Sequence, residues 1–440
     1  MVKVFPISLG CAKNLVDTEM MLAALKDAGY VISPHADIAD IVLINTCGFI
    51  QAAKEEAIED IFEMTLLKKE GKVGHIIVAG CLSERYKDEI EKELPEVDAF
   101  LGTGSYLKVV EACDAVMRGE KYSSFLPKKE HDINCRRELT TPFYTAYIKI
   151  SEGCSNGCSY CAIPAIRGGL RSRTVENIVS EARELANSGV KELTLISQDT
   201  TSYGVDLYGK QMLPELLDKI CEIEGLKWVR VLYCYPERIT DELLDVFAKH
   251  ENLINYFDIP IQHCNAEILK SMRRKGDRAS LEALMQKIRA KLPDVILRTT
   301  LITGYPGETR AQFNEMVDFI KSVRFDRLGV FAYSREENTI AYSLPSQVSE
   351  KEKNRRADII RAEQEFIADE NSRKLIGKTV TVLAEGFDKY AEVFFGRSRY
   401  DAPDVDGRIF FTSDKTVNVG EFIDILIEDA EGSDLFGSAI

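Results

Sequence analysis

Apolar and polar positions fall into alternating blocks along this 440-residue chain. Short apolar runs at Val4 to Leu9, Ile41 to Asn45, His75 to Ala79 and Val97 to Leu101 are separated by longer stretches of helical periodicity, among them Asp17 to Ala28 and Ala52 to Leu67. That alternation predicts a small doubly wound parallel sheet over residues 1–120. Residues 121–143 carry mixed charge, Pro127, Pro142 and little periodicity, which predicts a linker.

A second alternating series starts at Tyr144. Its strand candidates are Tyr144 to Ile150, Glu192 to Ser197, Trp228 to Tyr233, Tyr256 to Ile261, Ile296 to Thr303 and Arg327 to Tyr333. Helical segments such as Val175 to Ser188 and Arg310 to Ser322 lie between them, with Asp241 and Thr309 as cap candidates. Six such units are too few for a closed eight-stranded barrel, so residues 144–345 are expected to form a partial, six-stranded βα barrel, open on one side. Residues 346–375 read as one connecting helix, opened by a capping box of Ser349 and Glu352 and ended near Gly377. Over residues 376–440 the runs Thr379 to Ala384, Ala391 to Arg397, Arg408 to Thr412 and Glu421 to Glu428 suggest a small antiparallel β-barrel. The fold class is therefore α/β with a β-barrel at the C-terminus.

Composition narrows the functions. Hydrophobic residues at 45% and charged residues at 29% describe a globular protein. No apolar run approaches the roughly 20 residues of a membrane span. The start Met1-Val2-Lys3-Val4 leads into a strand without signal-peptide architecture, so the expected location is cytoplasmic and no membrane partner is expected. A net charge of -15 argues against a general nucleic-acid binder and fits a basic protein partner. From Lys374 to the end there are 7 basic and 13 acidic residues, a net of -6, the wrong sign for a phosphate-binding module.

Eleven cysteines are too sparse for a disulfide scaffold, but their places carry information. Cys11, Cys47 and Cys81 each end one of the first three apolar runs, where ligand sites of open α/β sheets gather and where following helices favour thiolates. One cysteine at a strand end is usually buried packing; three at equivalent positions predict a shared metal site. Cys154, Cys158 and Cys161 stand at C-x3-C-x2-C spacing on a loop that Gly153 and Gly157 let bend. Such close thiolates suit a polynuclear iron–sulfur cluster, and three ligands on a four-iron cubane leave one iron open for chemistry. A structural zinc site would need a fourth Cys or His at short spacing, and none follows Cys161. Cys113, Cys135, Cys221, Cys234 and Cys264 read as packing or free thiols, with Cys234 and Cys264 near strand ends.

The remaining signals are polar clusters at predicted strand ends: Ser197 to Thr200, Tyr235 to Glu237, Gln262 with His263, and Gly304 to Glu308. On one rim of a βα barrel they are cofactor and substrate candidates. The basic run Arg167 to Arg173 could hold a carboxylate or lie as a solvated loop, and Gly102-Thr103-Gly104 reads as a turn because it lacks the third glycine of a nucleotide loop.

The C-x3-C-x2-C run resembles the signature of radical S-adenosylmethionine enzymes. With the earlier cysteines and the C-terminal barrel, nearly the whole chain resembles the methylthiotransferase family, and Ser8 to Asp17, Ser197 to Gly204 and Asp258 to His263 are similar to its RimO type. The resemblance implies two 4Fe-4S clusters, an auxiliary one on Cys11, Cys47 and Cys81 and one on Cys154, Cys158 and Cys161 that cleaves S-adenosylmethionine. It implies a C-terminal TRAM barrel, and cofactor contacts from Gln198, Asp199, Gln262, Gly304 and Glu308. The implied reaction is methylthiolation of an aspartate β-carbon in small-subunit ribosomal protein S twelve. The hard step is then radical chemistry on the cofactor, with no side-chain acid or base. Partners would be that basic protein and an electron donor such as flavodoxin or ferredoxin. Two rival readings are a methylthiotransferase of the MiaB type acting on a tRNA adenosine, against which the acidic tail speaks, and a non-catalytic two-cluster electron carrier.

Overall fold

A computed structural model describes the backbone of residues 1–440 and every side chain except that of Glu130. The first sheet is built from β1 (Lys3–Ser8), β2 (Val31–Ile32), β3 (Ile41–Thr46), β4 (His75–Gly80), β5 (Ala99–Leu101) and β6 (Tyr122–Ser124). All pairings are parallel and the order is β2-β1-β3-β4-β5-β6. Alternate side chains of β3 serve opposite faces, as strand geometry requires. Ile41 and Leu43 meet Met21, Leu22 and Leu25 of helix α1 (Ala12–Asp27), while Val42 and Ile44 meet Ala57, Ile61 and Met64 of helix α2 (Gln51–Lys69). The sheet is thus doubly wound, and its order reverses between β1 and β3. A crevice opens at such a switch point, beyond the carboxyl ends of the strands.

β6 falls inside the stretch expected to be a linker. Tyr-Ser-Ser is too short and polar for a period-2 signal; the ladder to β5 alone makes it a strand.

The second series gives β7 (Thr145–Lys149), a short antiparallel pair of β8 (Ser151–Glu152) with β9 (Arg171–Ser172), then β10 (Glu192–Ile196), β11 (Trp228–Val231), β12 (Tyr256–Asp258), β13 (Ile296–Thr303) and β14 (Arg327–Ala332). β7, β10 and β11 form one parallel ladder and β12, β13 and β14 another. The halves are stitched by the Ile254 and Cys234 N–H groups, which donate to the Val229 and Asp258 carbonyls at 2.8 Å each. The result is the expected six-stranded partial barrel. Thr309 caps its helix as expected, but at Asp241 the cap is Thr240, one residue earlier.

The helix Glu350–Arg373 realises half of the expected capping box. Ser349 accepts the Glu352 N–H, whereas the Glu352 carboxylate is drawn to Arg355 and Arg356 at 2.8 Å. Beyond it β15 (Thr379–Asp388), β16 (Val393–Ser398), β17 (Ile409–Thr412), β18 (Phe422–Glu431) and β19 (Asp434–Ala439) close a barrel in the order β15-β16-β17-β19-β18. β19 was not evident in the sequence, and its pairing with β17 is parallel while the other pairings of this barrel are antiparallel.

This barrel plugs the amino ends of the central strands. Glu192 holds both Arg230 (3.2 Å) and Arg397 (2.6 Å), Tyr256 donates to Asp406 at 2.6 Å, and Arg327 pairs with Asp401 at 2.8 Å. Val16 and Met20 of α1 share one core with Tyr147, Trp228, Leu232 and Leu383, so all three parts of the chain meet inside the partial barrel. The carboxyl ends of both sheets are left to face each other.

Candidate active site between two cysteine trios

Cys11 is the residue before α1, Cys47 follows β3, and Cys81 opens the five-residue helix α3 (Cys81–Arg85) after β4. The first two flank the switch point, as the strand-end argument requires. Their loops touch: a Cβ on Gly10, where φ is +85°, would sit 2.6 Å from the Cys47 Cβ, and one on Gly48 would meet the Cys81 carbonyl carbon at 3.0 Å. Only residues without a side chain admit that approach.

Asn14 ties the three loops together. Its fully buried amide donates to the Leu9 and Thr46 carbonyls at 3.0 Å each, and its Oδ1 lies 3.7 Å from the Cys81 Sγ. The same Oδ1 accepts from Arg167.

Cys154, Cys158 and Cys161 lie on the loop between β8 and the helix Ile163–Arg167. Its fold is set by the Cys154 N–H donating to Gly168 at 3.0 Å, the Cys161 N–H donating to Cys158 at 3.1 Å, and Asn156 donating to Asp199 at 2.8 Å. The Tyr235 hydroxyl stands 3.8 Å from the Cys158 Sγ, and the Arg274 guanidinium stacks on the Tyr235 ring at 4.1 Å.

The trios meet. Cys81 packs with Ala162 and Ile166, directly after Cys161. On the loop after β11, Tyr233 lies beneath the Lys13 ammonium while Tyr235 reaches Cys158.

Burial pushes the thiols of Cys81 and Cys161 up to about 12, that of Cys154 up to about 11, and that of Cys47 upward. Such groups stay protonated until a cation arrives, and metal binding is then coupled to proton release. Cys11 is the exception. Burial opposes its ionisation, yet the charges of Lys13 and Arg167 and nearby backbone N–H groups carry its pKa below the usual thiol value.

The spread of the sulfurs bears on what they can hold. Zinc ligands at 2.3 Å put sulfurs about 4 Å apart. Among the described residues the one group of three ligand atoms within 4.8 Å of one another is Asp17, His131 and Glu152, so neither cysteine trio is that tight. A cluster, with each thiolate on its own iron, asks for the wider spacing. The Asp17 and Glu152 carboxylates are already matched by Lys149 and Arg167, with Lys149 and Glu152 at 2.7 Å and Arg167 and Glu152 at 3.0 Å.

The other expected site residues are placed as follows. Gln198 donates to Glu152 at 2.9 Å and leaves its buried Oε1 without a partner. Asp199 is held by Asn156, Thr201 and Arg238. Gln262 has φ +71° and is 9% exposed. Glu308 accepts the Gly304 N–H at 2.8 Å and Arg356 at 2.5 Å. Of the basic run, Arg167 and Arg173 hold carboxylates, those of Asp17, Glu152 and Glu181, and half-buried Arg171 donates to the Lys129 and His131 carbonyls, so the run is not a solvated loop and the carboxylates it holds are the protein's own. Gly102 to Gly104 is a turn, with the Thr103 hydroxyl on the Ile166 carbonyl at 2.7 Å. Lys13, Asn14 and Tyr233 were not singled out by sequence, since nothing in spacing distinguishes them from packing residues.

Comparison with known proteins agrees with this architecture. The Radical SAM superfamily matches residues 148–320, an uncharacterized family, UPF0004, matches residues 3–102, and the TRAM domain matches residues 376–440. Among solved structures, the radical S-adenosylmethionine methyltransferase TsrM from Kitasatospora setae, with cobalamin and a [4Fe-4S] cluster bound, superposes with a TM-score of 0.58 over 86% of this chain and 79% of that one, at 15% identity, which speaks for the fold. Fold and site define a radical S-adenosylmethionine enzyme with a TRAM domain.

Ribosomal protein uS12 methylthiotransferase RimO of Lachnoclostridium phytofermentans is 46% identical over 99% of this chain and 100% of its own, and that of Clostridioides difficile is 46% identical over 100% and 99%. The chain belongs to the RimO family of radical S-adenosylmethionine methylthiotransferases.

Proposed function

We propose that this protein methylthiolates the β-carbon of an aspartate in ribosomal protein uS12. In this reading the chain divides into an auxiliary-cluster domain at 1–120, a connection at 121–143, the radical barrel at 144–345, a connecting helix at 346–375 and the TRAM domain at 376–440. Cys154, Cys158 and Cys161 hold one 4Fe-4S cluster and Cys11, Cys47 and Cys81 a second. When bound, the clusters and S-adenosylmethionine supply the one-electron chemistry and the sulfur that side chains cannot.

The observation that carries the reading is the buried cluster that Cys81 forms with Ala162 and Ile166, on the segment that follows Cys161. A reaction that opens a C–H bond and adds sulfur to the same carbon needs both centres at one substrate position, and the two trios share one seam. The chain's residues build and orient that seam. Asp199 fixes Asn156 within the cysteine loop, and Glu308 fixes the turn at Gly304. The unpartnered Gln198 Oε1 offers an acceptor on the rim. Gln198, Asp199, Gln262, Gly304 and Glu308 then surround the cofactor. An external low-potential carrier such as flavodoxin or ferredoxin supplies electrons. The acidic C-terminal part speaks against tRNA and for a basic protein, cytoplasmic uS12, as the partner.

The test is anaerobic turnover with reductant and S-adenosylmethionine on small ribosomal subunits and bulk tRNA together, with mass spectrometry of both. A methylthio gain on a uS12 aspartate is expected. A gain on tRNA adenosine would overturn the substrate and keep the chemistry; intact S-adenosylmethionine would overturn the chemistry.

A further inference from the structure

A groove of about 420 Å³ lies between α2 and the segment from Leu82 to Leu94. Its apolar part is made by Ile58 and Phe62, one turn apart on α2, with Leu82 and Ile90 from the other wall. Phe62 is 53% exposed, a large aromatic ring left in water beside an apolar floor. Three carboxylates line the same groove, those of Glu89, Glu93 and Glu337. All three residues are exposed, and among the described residues none of them pairs with a cation. Lys54, the cation of the lining, is spent on Glu336 at 3.1 Å. The groove starts at the loops of the first trio: Leu82 follows Cys81, Gln51 stands four residues after Cys47, and a Cβ on Gly48 would meet the Leu82 Cα at 2.8 Å. From Gln51 to Phe62 the helix rises about 16 Å, the length of roughly five residues of extended chain.

We propose that this groove docks a segment of the substrate protein flanking the target aspartate: an extended stretch with an apolar side chain for Ile58 and Phe62, and lysine or arginine for the three carboxylates. The proposal rests on the reading of uS12 as substrate, and gives that basic protein a binding face beside Cys47 and Cys81. Charge decides between the occupants. An RNA backbone meets three like charges here and is repelled. A second copy of this chain carries a net charge of -15 and has the wrong sign as well. A basic protein has the right one. An apolar anchor seated in a groove supplies affinity, and charges at the rim steer the partner and fix its register.

The experiment uses the reconstituted holoenzyme with uS12 supplied both as the free protein and within small ribosomal subunits, and reads the form that wild type modifies. It compares wild type, Phe62→Ala, the double variant Glu89→Lys with Glu93→Lys, and a control double variant Glu224→Lys with Glu251→Lys, which makes the same charge change at exposed positions elsewhere. Iron and sulfide content report the fold. Phe62→Ala and the Glu89/Glu93 variant should each lower kcat/KM for uS12 roughly 10-fold, mainly through KM, with iron and sulfide retained. The KM of wild type should rise with salt, and that dependence should weaken in the Glu89/Glu93 variant. The control should match wild type. An unchanged KM in both groove variants would overturn the proposal, and so would an equal rise in the control. A defect seen with flavodoxin as reductant but absent with dithionite would overturn it in favour of the electron carrier. A wild-type dimer that Phe62→Ala turns into monomers would overturn it in favour of a second copy. Wild-type enzyme that leaves both forms of uS12 untouched would overturn the substrate reading itself, and the groove's role with it.

Discussion

Cys81 and Ala162 share one buried cluster, completed by Ile166, across the boundary between the first sheet and the central barrel, which brings the loop of one cysteine trio against the loop of the other. Neither half of the site is complete alone: Arg167 of the barrel reaches Asn14 of the first sheet, and Asp17 of the first sheet takes Lys149 of the barrel. The chemistry sits in an interface, and this interface is charged and fully buried.

Replacing one trio at a time should divide the iron. With Cys11, Cys47 and Cys81 all changed to Ala, the reconstituted protein should keep about half its iron, consistent with one 4Fe-4S cluster, and should make no methylthio product. With Cys154, Cys158 and Cys161 changed, it should again keep about half and should no longer cleave S-adenosylmethionine. Iron analysis and deoxyadenosine release check both, and loss of all iron from either variant would contradict independent sites.

Asn14→Ala removes the donor shared by the Leu9 and Thr46 carbonyls and the acceptor for Arg167, in buried or partly buried surroundings. Leaving such groups unpaired costs about 1–3 kcal/mol each. The expected result is a first trio that binds iron weakly, measured as faster iron loss to a chelator, with the other trio unaffected. Equal loss from both trios would show that Asn14 supports the fold and not the pocket.

Tyr235→Phe deletes the hydroxyl 3.8 Å from the Cys158 Sγ and keeps the ring beneath Arg274. A donor to a cluster thiolate favours the more negative reduced state, so its removal should lower the reduction potential at that trio while iron content stays the same. Potentiometric titration followed by electron paramagnetic resonance reads the shift, and a potential that does not move would remove Tyr235 from the site.

Much of this was legible in the sequence because it is carried by period and spacing. The fully apolar run Ile41 to Ile44 announces a strand covered on both faces, and the three strand-end cysteines announce the switch point. What escaped has no periodic signature. Three polar residues became β6 through a ladder alone, and β19 closes the last barrel by a parallel pairing with β17. The sequence left Arg167 open between a carboxylate holder and a solvated loop; it is one of the buried groups of the interface, and spacing could not name its partners Asp17 and Asn14, which are 150 and 153 residues away in sequence. Charge counting is blunt for the same reason: Asp401 and Asp406 in the acidic tail face Arg327 and Tyr256 inside the molecule, so part of that negative charge is not presented to any partner.

The junction of the TRAM barrel with the central strands should be acid-sensitive through Glu192. Burial of this carboxylate would raise its pKa, but the charges of Arg397 and Arg230 outweigh burial and hold it below the ordinary glutamate value of 4.5. A carboxylate with a depressed pKa in the folded state stabilises above its unfolded value, and that stability is lost as pH falls through the folded one. The loss should therefore begin below about pH 4.5 and deepen with further acid. Glu385, on the other side of Arg397, is raised by burial and has the opposite sign: its contribution is fullest when protonated and declines as pH rises. The single tryptophan, Trp228, reports the junction directly, its ring 4.8 Å from that of Phe422 in β18. Urea unfolding followed by its fluorescence should show Glu192→Gln less stable than wild type at neutral pH by about 3–5 kcal/mol, because two buried arginines lose their shared anion. The gap should close as pH drops below 4.5, where wild type loses the same charge. Glu385→Gln should steepen the acid loss. A gap between wild type and Glu192→Gln that is constant with pH would mean that shape at the junction, and not this charge, holds the barrels together.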